Sequence, residues 1–164
     1  MNRTEVIDAY FDFCKKTGFS PEQVVLSAGA ALVMFGDREN TSDLDCDIPE
    51  HDYAQFVCQM PSRERRSSLG AFYDYDDIVS LQAFPEGTGV SQHATPKGLV
   101  YTYSWMALVE QKIKLVEMPD RKPEKIPRDL EELDNMVLGL VFAGGDAGIK
   151  ELIERAGRAK ANRV

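Results

Sequence analysis

The segment from Leu26 to Pro49 constrains the fold of this chain more than any other. Within it, a turn of small residues leads into a short apolar helix, and a polar loop then leads into a strand that begins with acidic residues. Asp43 and Asp45 are two residues apart, so a strand points both side chains to one face, and Asp47 lies further along the same line. Carboxylates packed in this way repel one another unless a cation neutralises them. The segment therefore predicts a cation site, and Mg²⁺ suits it because that ion takes oxygen ligands and usually binds together with phosphates.

The turn in front of the helix predicts a phosphate site beside the carboxylates. Backbone N–H groups at a helix N-terminus bind anions, and Ser27-Ala28-Gly29 would present such groups together with the Ser27 hydroxyl. Small residues in this position also allow a strand and a helix simply to pack closely. In combination with a carboxylate pair, however, phosphate donors provide what phosphoryl or nucleotidyl transfer requires.

Composition and charge restrict the partners and the compartment. The 164 residues suffice for one domain with a sizeable core, and the formal net charge of -8 argues against duplex DNA as a partner. The three cysteines are widely spaced and predict neither a disulfide framework nor a zinc site, which favours a reducing compartment. No stretch approaches the ~20 apolar residues of a membrane span. We therefore expect a cytoplasmic protein without a membrane partner.

The hydrophobic patterns predict an α+β fold: a mixed β-sheet flanked by helices in residues 1–103, and a helical C-terminal third in residues 104–164, within a single domain 1–164. The predicted strands are 24–26, 44–48, 71–75, 77–84 and 99–103. The predicted helices are 4–17, 30–35, 50–60, a helix that starts after Ser104, 129–142 and 146–162. Residues 61–66 are predicted as an exposed basic connection, 119–127 as a loop, and 143–145 as a helix break.

Residues 26–48 resemble the signature of the nucleotidyltransferase superfamily that includes DNA polymerase beta, in which a small-residue turn and a helix precede Asp-x-Asp on the next strand. The variant is most similar to the abortive-infection (type IV toxin–antitoxin) nucleotidyltransferases and their antibiotic-modifying relatives. Their pattern runs Gly-Gly-x-Ala-Leu, then Gly-x-x-Arg, then Thr-x-Asp-hydrophobic-Asp. The residues that match this pattern are Gly29, Ala31, Leu32, Arg38, Thr41, Asp43 and Asp45.

Two later segments extend the resemblance, and Ala28 departs from it. Residues 108–113, which include Lys112, resemble the family's Leu-x-x-x-Lys helix, and residues 128–133 resemble its Lys-Asp-x-x-Asp-Leu segment. Ala28 stands where the family has its first turn glycine. The family's third carboxylate lies on a later strand, and we assign it to Asp77.

The assignment of the third carboxylate leaves alternatives. Asp74 and Asp76 lie in the same acidic stretch as Asp77. If Ser80 occupies the family's carboxylate position instead, the metal site is incomplete and the chain is a degenerate relative.

The resemblance implies metal-dependent transfer of a nucleoside monophosphate from an NTP to a hydroxyl of a protein, an RNA such as tRNA, or a small molecule. Asp43 and Asp45 would hold Mg²⁺, with Asp77 as the third catalytic carboxylate. The residues implied to bind the nucleotide are Ser27, Gly29, Arg38, Thr41, Ser42 and Lys112. The alternative is a catalytically degenerate module of the same fold that binds a partner protein or a nucleotide.

Overall fold

The computed structural model describes residues 1–143 and 147–163. The chain divides into two compact units, Met1–Ser104 and Trp105–Val164. The helix break predicted at 143–145 lies outside the described residues, apart from Ala143 at the end of a helix. Within the described ranges, no helix combines the length and the apolar character that crossing a membrane requires.

The N-terminal unit contains a mixed sheet of seven strands, as the α+β prediction requires. Its helices are α1 (Arg3–Thr17), α2 (Ala28–Phe35) and α3 (Glu50–Gln59). Its strands are β1 (Val25–Leu26), β2 (Leu44–Ile48), β3 (Glu64–Ser67), β4 (Gly70–Asp74), β5 (Val79–Ala83), β6 (Val90–Thr95) and β7 (Gly98–Tyr103). They lie in the order β3-β4-β5-β2-β1-β7-β6, with β2 parallel to β5, β1 parallel to β7, and the other pairs antiparallel.

Strand β2 is the middle strand of this sheet, and its side chains alternate between the two faces. Leu44, Cys46 and Ile48 are fully buried, and Cys14 of α1 lies close enough to Cys46 to affect it electrostatically. Helix α1 therefore covers this face of the strand. Alternation along the strand directs the intervening acidic side chains to the opposite face.

Helix α2 ends where the sequence predicts. Gly36 adopts a φ of 81°, a left-handed conformation that glycine accepts without strain, and its N–H donates to the Val33 carbonyl at 3.1 Å. The reversal returns the chain towards the sheet. It thereby positions the polar loop that precedes β2.

Two strands and one side-chain position differ from the sequence prediction. Residues 61–66, predicted as a connection, contain the start of β3, and no strand was predicted for β6. Both are edge strands, which pair on one side only and commonly carry polar side chains, so their hydrophobic alternation is weak. Met60, the last residue of the predicted helix 50–60, is 44% exposed and lies outside α3, which ends at Gln59.

The C-terminal unit consists of α4 (Trp105–Glu117), α5 (Ile126–Ala143) and α6 (Ala147–Ala161). Helix α5 starts inside the predicted loop because Pro127 lies in its first turn, where a missing N–H costs nothing. Trp105 Nε1 donates to the Met136 carbonyl at 3.1 Å and joins α4 to α5. The buried apolar side chains of the three helices are Leu108, Val109, Ile113, Val116, Leu133, Met136, Leu140, Leu152, Ala156 and Ala159.

A buried ion cluster also links these helices. Lys112 Nζ lies 3.2 Å from Asp129 Oδ1 and 2.6 Å from Glu132 Oε2, and Arg121 Nε lies 2.7 Å from Asp129 Oδ2. Burial alone would raise the pKa of Asp129. The hydrogen bond from Arg121 and the charge of Lys112 outweigh that effect and hold the pKa below its usual value. A buried charge that loses one partner is strongly destabilising.

Asp129→Asn should lower the free energy of unfolding at pH 7 by about 3 kcal/mol, because Arg121 and Lys112 lose the carboxylate that they share and Glu132 remains as a partner of Lys112 alone. A lowered pKa stabilises the folded state fully above the unfolded pKa of about 3.9 and ceases to do so as the pH falls through the folded value. The difference between wild type and variant should therefore shrink below about pH 4. Chemical denaturation across pH measures this difference.

Asp134→Asn is the matched control, since Asp134 also pairs with a lysine, Lys160, but its side chain is 55% exposed. It should change stability by less than about 0.5 kcal/mol at any pH. An equal loss in both variants would contradict a special role for the buried cluster.

Candidate active site

The loop between α2 and β2 brings several of the predicted site residues together. A Cβ atom on Gly29 would lie 2.6 Å from an Arg38 guanidinium nitrogen and 2.6 Å from Thr41 Oγ1, so only glycine fits against these two side chains. Thr41 Oγ1 donates to the Asp43 carbonyl at 3.2 Å, and Ser42 Oγ donates to Asp43 Oδ1 at 2.9 Å. The start of α2 and the start of β2 are thus held side by side.

Three carboxylates, one just before β2 and two within it, are buried to an increasing degree along the chain. Asp43 is exposed, Asp45 is half-buried, and Asp47 is 1% exposed. Burial is the main cause that raises the pKa of Asp45 to about 7. The charges of Asp43 and Asp47 raise this pKa further, and the charge of Arg38 lowers it. The ionised form of Asp45 is therefore costly in the protein alone.

Asp47 is held by hydrogen bonds from two different elements. Ser27 Oγ donates to its Oδ1 at 3.0 Å, and the Tyr103 hydroxyl of β7 donates to its Oδ2. Burial raises the pKa of Asp47 to about 6, and the hydrogen bonds from Tyr103 and Ser27 limit that rise. The sequence pattern placed Asp47 in line with Asp43 and Asp45 but assigned no site role to Asp47 or to Tyr103. The repeat of aspartates at every second position pointed to Asp47, whereas no local signal pointed to Tyr103, which is distant in sequence.

The N-terminus of α2 lies against the carboxylate strand. The Ser27 N–H donates to the Asp45 carbonyl at 3.0 Å, and the Ser27 carbonyl accepts the first helical hydrogen bond from Ala31 N–H at 3.2 Å. Ala28 adopts a φ of 44°, in the left-handed region where glycine is favoured. The turn is therefore strained at Ala28, and a glycine there would adopt the same conformation without that strain.

Of the three aspartates between residues 74 and 77, two make local contacts that stabilise the turn or its flanking strands. Asp74 pairs with Arg65, and Asp76 Oδ1 accepts from the N–H groups of Ile78 and Val79 at 2.8 and 2.7 Å. Asp77 is exposed, and the neighbouring Ile78 carbonyl accepts from Leu44 N–H at 2.8 Å, beside the start of β2. Its catalytic role stays a prediction.

The sheet register places Ser80 directly opposite Asp45 on the parallel strand β5. The position on β5 opposite the second aspartate of the Asp-x-Asp motif therefore carries a serine and not a carboxylate. Among residues 1–143 and 147–163, no three His, Cys, Asp or Glu side chains are arranged to hold a metal ion.

The Asp43 and Asp45 pair nevertheless suits a divalent cation. Its carboxylate oxygens are the ligands that Mg²⁺ prefers. Burial raises the pKa of Asp45 most, and the negative charges of Asp43 and Asp47 raise it further, while the Arg38 charge only partly offsets them. A cation bound there would remove this repulsion. The two residues fit the metal, with the remaining positions left to phosphate oxygens and water.

Lys112 belongs to the C-terminal unit, where it pairs with Asp129 and Glu132 and its side chain is 7% exposed. Its predicted contact with a nucleotide stays a prediction. The structure brings six of the predicted residues together within the N-terminal unit through the contacts described above: Ser27, Gly29, Arg38, Thr41, Asp43 and Asp45. Ser42 joins them through Asp43.

Comparison with known proteins identifies the fold. No protein-family model and no curated protein matches the chain. An antigenic nucleotidyltransferase-like protein from Paracoccidioides brasiliensis is similar in structure at 16% identity, with a TM-score of 0.56 over 98% of this chain and 85% of the other.

Two structures of the antibiotic-resistance factor ANT(2'')-Ia are similar as well. Its solution structure matches at 16% identity with a TM-score of 0.57, over 99% of this chain and 95% of the other. Its crystal structure with adenylyl-2''-tobramycin matches at 13% identity with a TM-score of 0.55, over 98% and 99% of the two chains. The chain has the nucleotidyltransferase fold, as the resemblance in sequence predicted.

Ala28→Gly should stabilise the protein by about 1 kcal/mol, because a non-glycine residue in the left-handed region is strained by roughly 1–2 kcal/mol and glycine loses part of that gain to entropy. Thermal and chemical denaturation measure the change. As the control, Ala31→Gly in the same helix should destabilise by a similar amount. A destabilised Ala28→Gly variant would show that the turn is not strained.

Proposed function

We propose that this protein transfers a nucleoside monophosphate from an NTP to an acceptor hydroxyl. The acceptor oxygen forms a bond to the α-phosphorus, the bond from that phosphorus to the β-phosphate oxygen breaks, pyrophosphate leaves, and the hydroxyl proton is released to the medium. The proposal stands on one observation: within a nucleotidyltransferase fold, Asp43 and Asp45 lie against the N-terminus of α2.

Each part of the site has a chemical task in this proposal. Asp43 and Asp45 would hold Mg²⁺, which would neutralise charge on the triphosphate. First-turn amides of α2, including that of Gly29, bind a phosphate, since a helix N-terminus favours anions. Arg38 and Thr41, which Gly29 allows to approach closely, line the same turn and orient the nucleotide.

The acceptor class follows from the resemblance and the neighbours together. ANT(2'')-Ia is known in complex with an adenylylated aminoglycoside, which supports a small-molecule hydroxyl. The sequence pattern of the toxin–antitoxin nucleotidyltransferases adds a protein or tRNA hydroxyl. All three acceptors, and NTP itself, are available in the cytoplasm, where we place the protein.

A second candidate function rests on Ser80. Because Ser80 and not a carboxylate lies opposite Asp45, the site has two carboxylates at the motif and an exposed Asp77 in the turn before β5. Such a site could bind a metal–nucleotide complex without turning it over. The protein would then be a nucleotide-binding module that regulates a partner.

Mg²⁺ with NTP should raise the melting temperature, since a ligand that binds only the folded state at 100 times its Kd stabilises it by about 2.7 kcal/mol. The shift should vanish in the Asp43→Asn, Asp45→Asn double variant, which removes both metal ligands. It should shrink in Gly29→Ala, whose Cβ displaces Arg38 and Thr41. Differential scanning fluorimetry with each NTP in turn measures it.

Gly157→Ala on α6 is the matched glycine control, because an added Cβ there meets nothing within 4 Å. It should keep the full nucleotide shift. Equal shifts in wild type and the double aspartate variant would place nucleotide binding elsewhere on the protein.

Label from NTP labelled at the α-phosphate should remain on an acceptor when cell lysate supplies the acceptors, and Asp45→Asn should abolish the transfer. Label from the γ-phosphate should stay with pyrophosphate. The reason is that a carboxylate pair with a short turn, and no P-loop lysine, suits attack at the α-phosphorus.

The other outcomes each decide between the candidates. Retention of γ-label would make the protein a kinase and contradict the proposal. Nucleotide binding without retention of either label would support the regulatory module, in line with Ser80 on β5.

A further inference from the structure

Ser27 occupies the N-cap position of α2 but does not act as a cap. A serine at this position normally accepts a hydrogen bond from a backbone N–H of the first turn. In the described structure its side chain makes no capping hydrogen bond, and its hydroxyl donates instead to Asp47 at 3.0 Å. Ser27 therefore caps neither the Gly29 nor the Ala30 amide.

The Ser27 hydroxyl points to Asp47 because this buried carboxylate requires hydrogen-bond donors. This carboxylate is 1% exposed, and buried carboxylates require hydrogen-bond donors. Tyr103 supplies one donor, and the Tyr103 ring is itself packed edge-on against Phe84 with centroids 6.1 Å apart. Ser27 supplies another, so rotation of its hydroxyl towards the helix would deprive Asp47 of that donor.

The Ser27 backbone reinforces this arrangement. Its N–H donates to the Asp45 carbonyl at 3.0 Å, which fixes the residue against β2 while its side chain, 1% exposed, points to Asp47. The first-turn amides of Gly29 and Ala30 have no carbonyl one turn earlier to bind, as in any helix. Because Ser27 is turned away, an incoming anion does not have to displace a side-chain cap from them.

We propose that Asp47 is a positioning residue: by holding Ser27 out of its capping rotamer, it keeps the N-terminus of α2 open for a nucleotide phosphate. The inference rests on the proposed function for the identity of the anion. Asp47 itself touches neither metal nor nucleotide in this account. It acts through Ser27, and Tyr103 acts through Asp47.

Asp47→Ala provides the first test, with Mg²⁺ and inorganic tripolyphosphate as the probe and calorimetry as the readout. The freed Ser27 hydroxyl should cap the helix and weaken the affinity about tenfold, the effect of one good capping hydrogen bond. Adding Ser27→Ala, which removes the competing cap, should then recover roughly threefold or more of the loss. Loss of charge or of packing at Asp47 would not be rescued by a second truncation.

Amide hydrogen exchange provides a readout that needs no ligand. The Gly29 and Ala30 amides should exchange more slowly in Asp47→Ala than in wild type, and faster again in the Asp47→Ala, Ser27→Ala double variant, because only the single variant has a capped helix. A merely structural role predicts faster exchange in both variants. This result is independent of nucleotidyl transfer, so failure of the proposed function and failure of the inference are distinguishable.

Two further comparisons keep the test decisive. If Asp47→Ala does not fold, the same pair of variants in a Tyr103→Phe background removes the carboxylate together with the phenol hydroxyl that would lose its partner. Tyr53→Phe, which removes a hydrogen bond to Glu64 in the same unit, should leave tripolyphosphate affinity unchanged. Unchanged affinity in Asp47→Ala, no rescue by Ser27→Ala, or no binding of tripolyphosphate by wild type would each overturn the inference.

Discussion

Electrostatic repulsion among three carboxylates on one face of β2 is the constraint on which the rest of the site depends. Asp43 is exposed and Asp45 half-buried, whereas Asp47 is buried and takes hydrogen bonds from Ser27 and Tyr103. The deepest carboxylate thereby joins β2 to the start of α2 and to β7. Of the two outer carboxylates, Asp43 accepts a hydrogen bond from Ser42, and Asp45 lies within the field of both neighbouring aspartates and of Arg38.

This arrangement departs from the locally most stable choice at three positions. Ala28 adopts a backbone conformation that suits glycine, and Ser27 does not cap its own helix. Burial and two neighbouring charges also raise the pKa of Asp45 to about 7. Natural proteins break local rules of this kind mainly at functional sites. Three such departures within twenty residues of one another support a function for this segment beyond packing.

The sequence predicted the parts of this structure that local patterns determine. Strand β2 matches its predicted bounds because buried and acidic residues alternate along it and Pro49 follows, and Gly36 marks the end of α2. The edge strands β3 and β6 were not predicted, because a strand that pairs on one side only does not require an apolar face.

Within the candidate site, sequence spacing was informative only at short range. The grouping of Gly29, Thr41 and Asp43 follows from a short helix and loop. The bond from Tyr103 to Asp47 depends on β7 lying beside β1, which no local pattern shows. The pairing of Ser80 with Asp45 on the neighbouring strand likewise depends on strand register. This pairing is the observation that favours a regulatory module as the alternative function.

The most direct test of this account is the free energy of unfolding of Asp45→Asn in the presence of a chelator at pH 7.5. If the carboxylate is held in a repulsive, partly buried position for a cation, removing its charge should stabilise the metal-free protein by roughly 2 kcal/mol. Asp77→Asn, an exposed change, should alter stability by less than about 0.5 kcal/mol. An Asp45→Asn variant no more stable than wild type would contradict the account.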